Sequence, residues 1–136
     1  MPYHKIYYHF IWATKQRLLL INPANQEPLY AAIRAKALEQ HAIVYALNGL
    51  ADHVHLVVAL PPTATVATFI GQVKGASSHM IAHLYQDADQ PVFAWQQEYG
   101  VVSLSESHLS TIITYVEEQQ QRHALNRLDT RLEGLA

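Results

Sequence analysis

Cysteine is absent from the 136 residues, which rules out disulfide frameworks and thiolate metal sites and fits a reducing cytoplasm. Charge is scarce as well: Asp, Glu, Lys and Arg make up 15% of the chain, and the formal net charge is -2. That balance excludes a polycation binding nucleic acid over its whole surface, so any anion-binding face must be local. No apolar run approaches the roughly 20 residues that a membrane span requires. The opening stretch, MPYHKIYYHF, lacks the basic-then-apolar layout of a secretory leader, so a cytoplasmic protein is expected. Internal repeats, low-complexity tracts and linkers are missing too. One domain is expected over residues 1–136, with a core at about 3–124 and a short tail at 125–136.

What is present is a half-apolar chain, enough for one globular core. Its charge is uneven. Residues 1–75 hold six Lys/Arg against three acids, and residues 76–136 hold three against eight, so an anion-binding face belongs to the first half. The aromatic and β-branched run His4–Ala13 predicts a strand. Asn22-Pro23 supplies a helix cap and first-turn proline for a helix over about Pro23–Gln40. Two short apolar runs, Ala42–Leu47 and Val54–Leu60, flank Asn48-Gly49, a strong turn signal, and predict a β-hairpin. Apolar residues at helical spacing predict a second helix from Thr65 to about Tyr85. A fourth strand is expected within Val92–Leu104, interrupted near Tyr99-Gly100, and a last helix from about Ser105 to Ala124. The order β-α-β-β-α-β plus a helix predicts an α+β, ferredoxin-like split βαβ sandwich with a C-terminal helical addition.

The chemistry concentrates in Asp52-His53-Val54-His55-Leu56. Alternate strand residues face one side, so His53 and His55 project together, about 6.6–6.8 Å apart along the strand. Two readings fit: polar positions on a solvated strand face, or two ligands of one divalent ion awaiting a third. On the last helix, Leu109, Ile112, Ile113 and Val116 form the apolar stripe, with Tyr115 and Gln119 one above the other on its shoulder. That helix can be plainly amphipathic, or it can bring a phenol and a carboxamide to one site. Lys74, on the second helix, and Lys15 and Arg17, after the first strand, are candidate DNA-phosphate contacts or ordinary solvated cations. Trp12, Trp95 and Tyr99 are of a type that stacks on unpaired bases, with Trp95 more readily placed in the core. His79 and His83 read as surface histidines, and His9, on a central strand, borders the site in this topology. Asp52 reads as a turn cap pointing away from His53.

At these residues the chain resembles the single-tyrosine HUH (His-hydrophobe-His) transposases, small enzymes of bacterial insertion sequences and their REP-associated relatives. Tyr8-His9-Phe10-Ile11-Trp12 with Lys15 and Arg17, then Asp52-His53-Val54-His55-Leu56, then Gly71-Gln72-Val73-Lys74-Gly75-Ala76-Ser77-Ser78 carry the likeness. Phe93-Ala94-Trp95-Gln96 with Tyr99-Gly100, and Tyr115-Val116-Glu117-Glu118-Gln119, complete it in family order over about residues 3–123. The resemblance implies that His53, His55 and Gln119 bind Mg²⁺ or Mn²⁺ and that Tyr115 attacks a DNA phosphate. It also implies a homodimer that recognises hairpins in single-stranded element ends and transfers strands through a 5′-phosphotyrosine. Glu118 stands where the family often has asparagine, and the tail after His123 is short. Those departures keep open an alternative, a domesticated hairpin-binding protein without strand transfer, and a small metallohydrolase using water is a third reading.

Overall fold

A computed structural model describes residues 3–86, 89–119 and 121. Four strands, β1 (Tyr7–Ala13), β2 (Ile43–Leu50), β3 (His53–Ala59) and β4 (Gly100–Leu104), form one antiparallel sheet in the order β2-β3-β1-β4. Among the described residues three α-helices accompany it: α1 (Gln26–Glu39), α2 (Val66–Leu84) and α3 (Glu106–Glu117). This is the expected split βαβ arrangement with an added helix.

Each strand divides its side chains between two faces. Phe10 and Trp12 of β1, Leu47 of β2, and Val54, Leu56 and Val58 of β3 are buried against Leu29 and Ile33 of α1 and Phe69, Ile70 and Val73 of α2. The opposite face carries Ala46 and Val57, covered by Tyr115 and Val116 of α3, with Leu109, Ile112 and Ile113 packed alongside. The main apolar core therefore lies on one side of the sheet and the histidine pair on the other.

Helix boundaries follow their caps. Asn22 accepts hydrogen bonds from the Ala24 and Asn25 amides (2.9 and 3.0 Å) and closes a turn ahead of α1, which starts at Gln26 with Asn25 as its N-cap, three residues later than expected. Thr65 caps α2 by accepting from the Thr68 amide at 3.2 Å. α3 is tied at both ends: Lys5 Nζ lies 2.7 Å from the Glu106 carboxylate, and Asn48 Nδ2 donates to the Glu117 carbonyl at 3.1 Å.

Three expectations change. Asn48 and Gly49 do not turn; they lie inside β2, and Ala51-Asp52 makes the connection to β3. A Cβ on Gly49 would collide with the His53 carbonyl and the Val54 Cα, so the glycine serves close cross-strand approach, and its φ is not positive. The fourth strand is confined to Gly100–Leu104, because most of residues 92–99 follows an irregular path joined to the sheet only by a Thr14–Trp95 bridge. α3 closes at Glu117 with Glu118 as its C-cap; of the remainder of the expected helix, only Gln119 and Gln121 lie within the described residues.

Candidate active site

Period-two alternation on β3 sends Val54 and Leu56 into the main core and leaves His53 and His55 on the α3 face, both fully buried. Their rings are 5.2 Å apart between centroids, at 72°. In the sheet His55 stands opposite Ile11 of β1 and Asn48 of β2, and His53 opposite Ala13 and Leu50. Above them α3 lowers Tyr115, whose ring centroid lies 6.1 Å from that of His55, edge to face. Gln119, just beyond the end of α3, is fully buried. A phenol and two imidazoles thus meet within one chain.

Two neighbours complete the arrangement. His9 of β1 is fully buried; its ring centroid lies 5.1 Å from that of His55 with the planes inclined by 22°, and its Nε2 lies 2.8 Å from His55 Nδ1. The sequence puts His9 at the border of the site with its role open, because the contact is diagonal across two strands and depends on register. Asp52 does not point away. Its Oδ1 lies 2.7 Å from His53 Nδ1, and its Oδ2 3.3 Å from Arg17 Nε. The reason is local: Asp52 sits in the two-residue turn before β3, where strand alternation has not begun, so its side chain folds back beside its neighbour. Burial alone would raise the Asp52 pKa, but the hydrogen bond and charge of His53, joined by Arg17, outweigh it and hold the carboxyl below its ordinary value.

The remaining sequence-predicted residues disperse. Lys15 and Arg17 form an exposed 3-10 turn directly after β1, where Gln16 and Arg17 adopt positive φ (56° and 53°). This places both cations close to the His53 end of the pair. Lys74 points instead into the loop before β4, where Nζ donates to the carbonyls of Gln96, Gln97 and Glu98 at 2.7, 3.1 and 3.1 Å. It also lies 5.9 Å above the Tyr99 ring, and burial lowers its pKa. Trp12 is not a base-stacking platform: it is fully buried, packed edge to face with Trp95 at 5.6 Å. Trp95 belongs to the core, as expected, its Nε1 donating to Ser77 Oγ at 3.0 Å. His79 and His83 are exposed on α2.

Among the described residues, no three His, Asp or Glu side chains form a metal-holding group. The donors that fit an ion are two imidazoles and a buried carboxamide, a mixed nitrogen and oxygen set acceptable to a divalent cation. Each imidazole has a polar partner at Nδ1, His53 in Asp52 and His55 in His9.

Residues 2–119 match the family model described as "Transposase IS200 like". The ISDra2 transposase TnpA of Deinococcus radiodurans is 25% identical over 122 residues, covering 88% of this chain and 87% of that one. The transposase of insertion sequence element IS200 from Salmonella typhimurium is 26% identical over 80 residues, 59% of this chain and 53% of its own. A crystal structure of a transposase candidate from Deinococcus radiodurans superposes with a TM-score of 0.70 at 27% identity, covering 87% of this chain and 93% of the other. A REP-associated tyrosine transposase bound to a REP hairpin shares the fold, with a TM-score of 0.66 at 14% identity over 94% of this chain and 73% of that chain. No helix among the described residues is long and apolar enough to cross a membrane. With the family model spanning all four strands, all three helices and every residue of the buried cluster, the chain belongs to the IS200-like transposase family.

Proposed function

We propose that residues 1–136 work as one catalytic domain that cleaves and rejoins single-stranded DNA, with Tyr115 as nucleophile and a divalent ion, Mg²⁺ or Mn²⁺, held by His53, His55 and Gln119. The observation that carries this reading is the approach of the Tyr115 ring to the His55 ring, 6.1 Å between centroids, on the covered face of the sheet. A bound ion would polarise a non-bridging oxygen of the scissile phosphate and offset charge in the transition state. Tyr115 Oη gives up its proton and attacks phosphorus, the bond from phosphorus to the 3′ oxygen breaks, and that oxygen takes up a proton in exchange and leaves as a 3′-hydroxyl. The product is a 5′-phosphotyrosine. A phenol, with a reference pKa of about 10, is a far better leaving group than a sugar hydroxyl, so a second 3′-hydroxyl can displace Tyr115 and seal a new strand. Strand transfer rather than hydrolysis is the chemistry this linkage serves.

The partner in this proposal is a DNA hairpin at the end of a mobile element, and the REP hairpin bound by the fold relative supports that choice. Lys15 and Arg17, exposed beside the His53 end, would meet the phosphate backbone, whereas Lys74 directs its donors to the carbonyls of Gln96, Gln97 and Glu98. The working form is a homodimer. The test incubates the full chain with single-stranded oligonucleotides from the DNA flanking its gene, with Mg²⁺ or Mn²⁺, and looks for a denaturation-resistant protein–DNA adduct. Tyr115→Phe should lower adduct formation at least about 10³-fold, in line with removing a nucleophile, and leave hairpin binding within twofold. Hairpin binding without any adduct from the parent chain would favour the domesticated binder instead.

A further inference from the structure

The outer contacts of the two histidines are matched. His53 Nδ1 faces Asp52 Oδ1 at 2.7 Å, and His55 Nδ1 faces His9 Nε2 at 2.8 Å. The two contacts arise from unrelated parts of the chain, a turn residue on one side and the central strand β1 on the other. Both engage the same ring nitrogen. We propose that Asp52 and His9 are positioning residues, which lock the two imidazoles into the tautomer and orientation that present Nε2 to a shared divalent ion. The inference rests on the metal reading above and adds to it the groups that prepare its ligands.

The proton positions follow. An ionised carboxylate only accepts, so His53 must carry its proton on Nδ1 and donate it to Asp52. The second Asp52 oxygen is steadied by Arg17 Nε at 3.3 Å, so a guanidinium, a carboxylate and an imidazole stand in line. For His55 to present a lone pair at Nε2, its Nδ1–H must donate to His9 Nε2, and His9 must then hold its own proton on Nδ1. The His9 and His55 ring planes are inclined by only 22°, which keeps that donor and acceptor close to one plane. All three histidines are thereby assigned the Nδ1–H form. A packing role alone would not require this, since either tautomer fills the same volume. Carboxylate or other acceptors behind a metal-binding imidazole set its orientation and basicity, and their removal commonly weakens metal binding about 10–100-fold.

The experiment uses the full chain and two readouts, neither of them activity. Long-range ¹H–¹⁵N correlation spectra of the metal-free protein report each tautomer, and titration with Mn²⁺ alone, followed by electron paramagnetic resonance of the free ion, reports affinity. His9, His53 and His55 should each appear as the Nδ1–H form. Asp52→Ala should release His53 to a mixture of tautomers and weaken Mn²⁺ binding about 10–100-fold. His9→Leu should do the same for His55, whereas His9→Gln, which keeps an acceptor, should restore binding to within a few-fold of the parent. Arg17→Ala, at an exposed position, should give a smaller loss, and it stands in for Asp52→Ala if circular dichroism finds that variant unfolded. Parent spectra with His53 or His55 in the Nε2–H form overturn the proposal, whatever the variants do. Mn²⁺ binding that needs His53 but stays within twofold of the parent in Asp52→Ala, Arg17→Ala and His9→Leu overturns it alone. Binding that His53→Ala leaves unchanged overturns the metal reading itself, and this proposal with it.

Discussion

Gly49 illustrates how one residue governs the site without touching it. It faces Val54 in the β2–β3 pairing, and the atoms a Cβ would meet belong to the backbone of His53 and Val54, so no side chain can swing aside. Gly49→Ala must push β3 away at the point where the histidine pair begins. A loss of about 1–3 kcal/mol is expected, the usual cost of forcing extra volume into a packed place. Urea denaturation of parent and variant measures it, and an unchanged midpoint would mean that the hairpin yields. The same glycine marks a limit of sequence reading. A turn and a close strand approach both demand glycine, and the local pattern Asn48-Gly49 does not say which. His53, Val54 and His55 were legible because strand alternation is a local rule. Asp52 and His9 were not, since one depends on a turn side chain folding back and the other on register between β1 and β3.

At the scale of elements, α2 and the segment before β4 form a unit closed by Lys74. An ammonium has three N–H donors, and here they meet three successive carbonyls, those of Gln96, Gln97 and Glu98. The helix was readable from its apolar period, but nothing in the period points its lysine toward a loop more than twenty residues later, so a phosphate contact was the natural expectation. Lys74→Met keeps the stem and removes the donors. It should cost about 1.5–3 kcal/mol even if only one bond contributes its full net value, and it should raise amide exchange across residues 96–104. Hairpin affinity measured at several salt concentrations separates the two roles. A structural lysine leaves the slope of log K against log salt unchanged, whereas a slope shallower by about one identifies Lys74 as a phosphate contact after all.

For the whole molecule, the sheet separates the large apolar core from the groups proposed to react. α1 and α2 cover one face with the large apolar core, and α3 covers the other with Tyr115 above the histidines. A change confined to the α1 side should therefore alter stability and leave the chemistry alone. Tyr30 of α1 tests this. It is buried in the main core, and among the described residues its hydroxyl has no protein hydrogen-bond partner. Burial first, with Glu27 adding and Arg34 opposing, pushes its pKa up to about 12. The folded chain thus keeps a proton that the unfolded chain loses near pH 10, so this phenol's contribution is fully present below pH 10 and lost as the pH rises to about 12. Two pKa units correspond to about 2.7 kcal/mol. Tyr30→Phe removes the alkaline loss, so its unfolding midpoint should move to higher pH, and at pH 7 its stability should equal or exceed the parent's by about 1 kcal/mol. Thermal melts across pH 7 to 12 measure both effects, with Mn²⁺ affinity and adduct formation followed on the same samples. Superimposable alkaline limbs would refute the burial argument, and altered adduct formation with an intact fold would show that the two faces of the sheet are coupled.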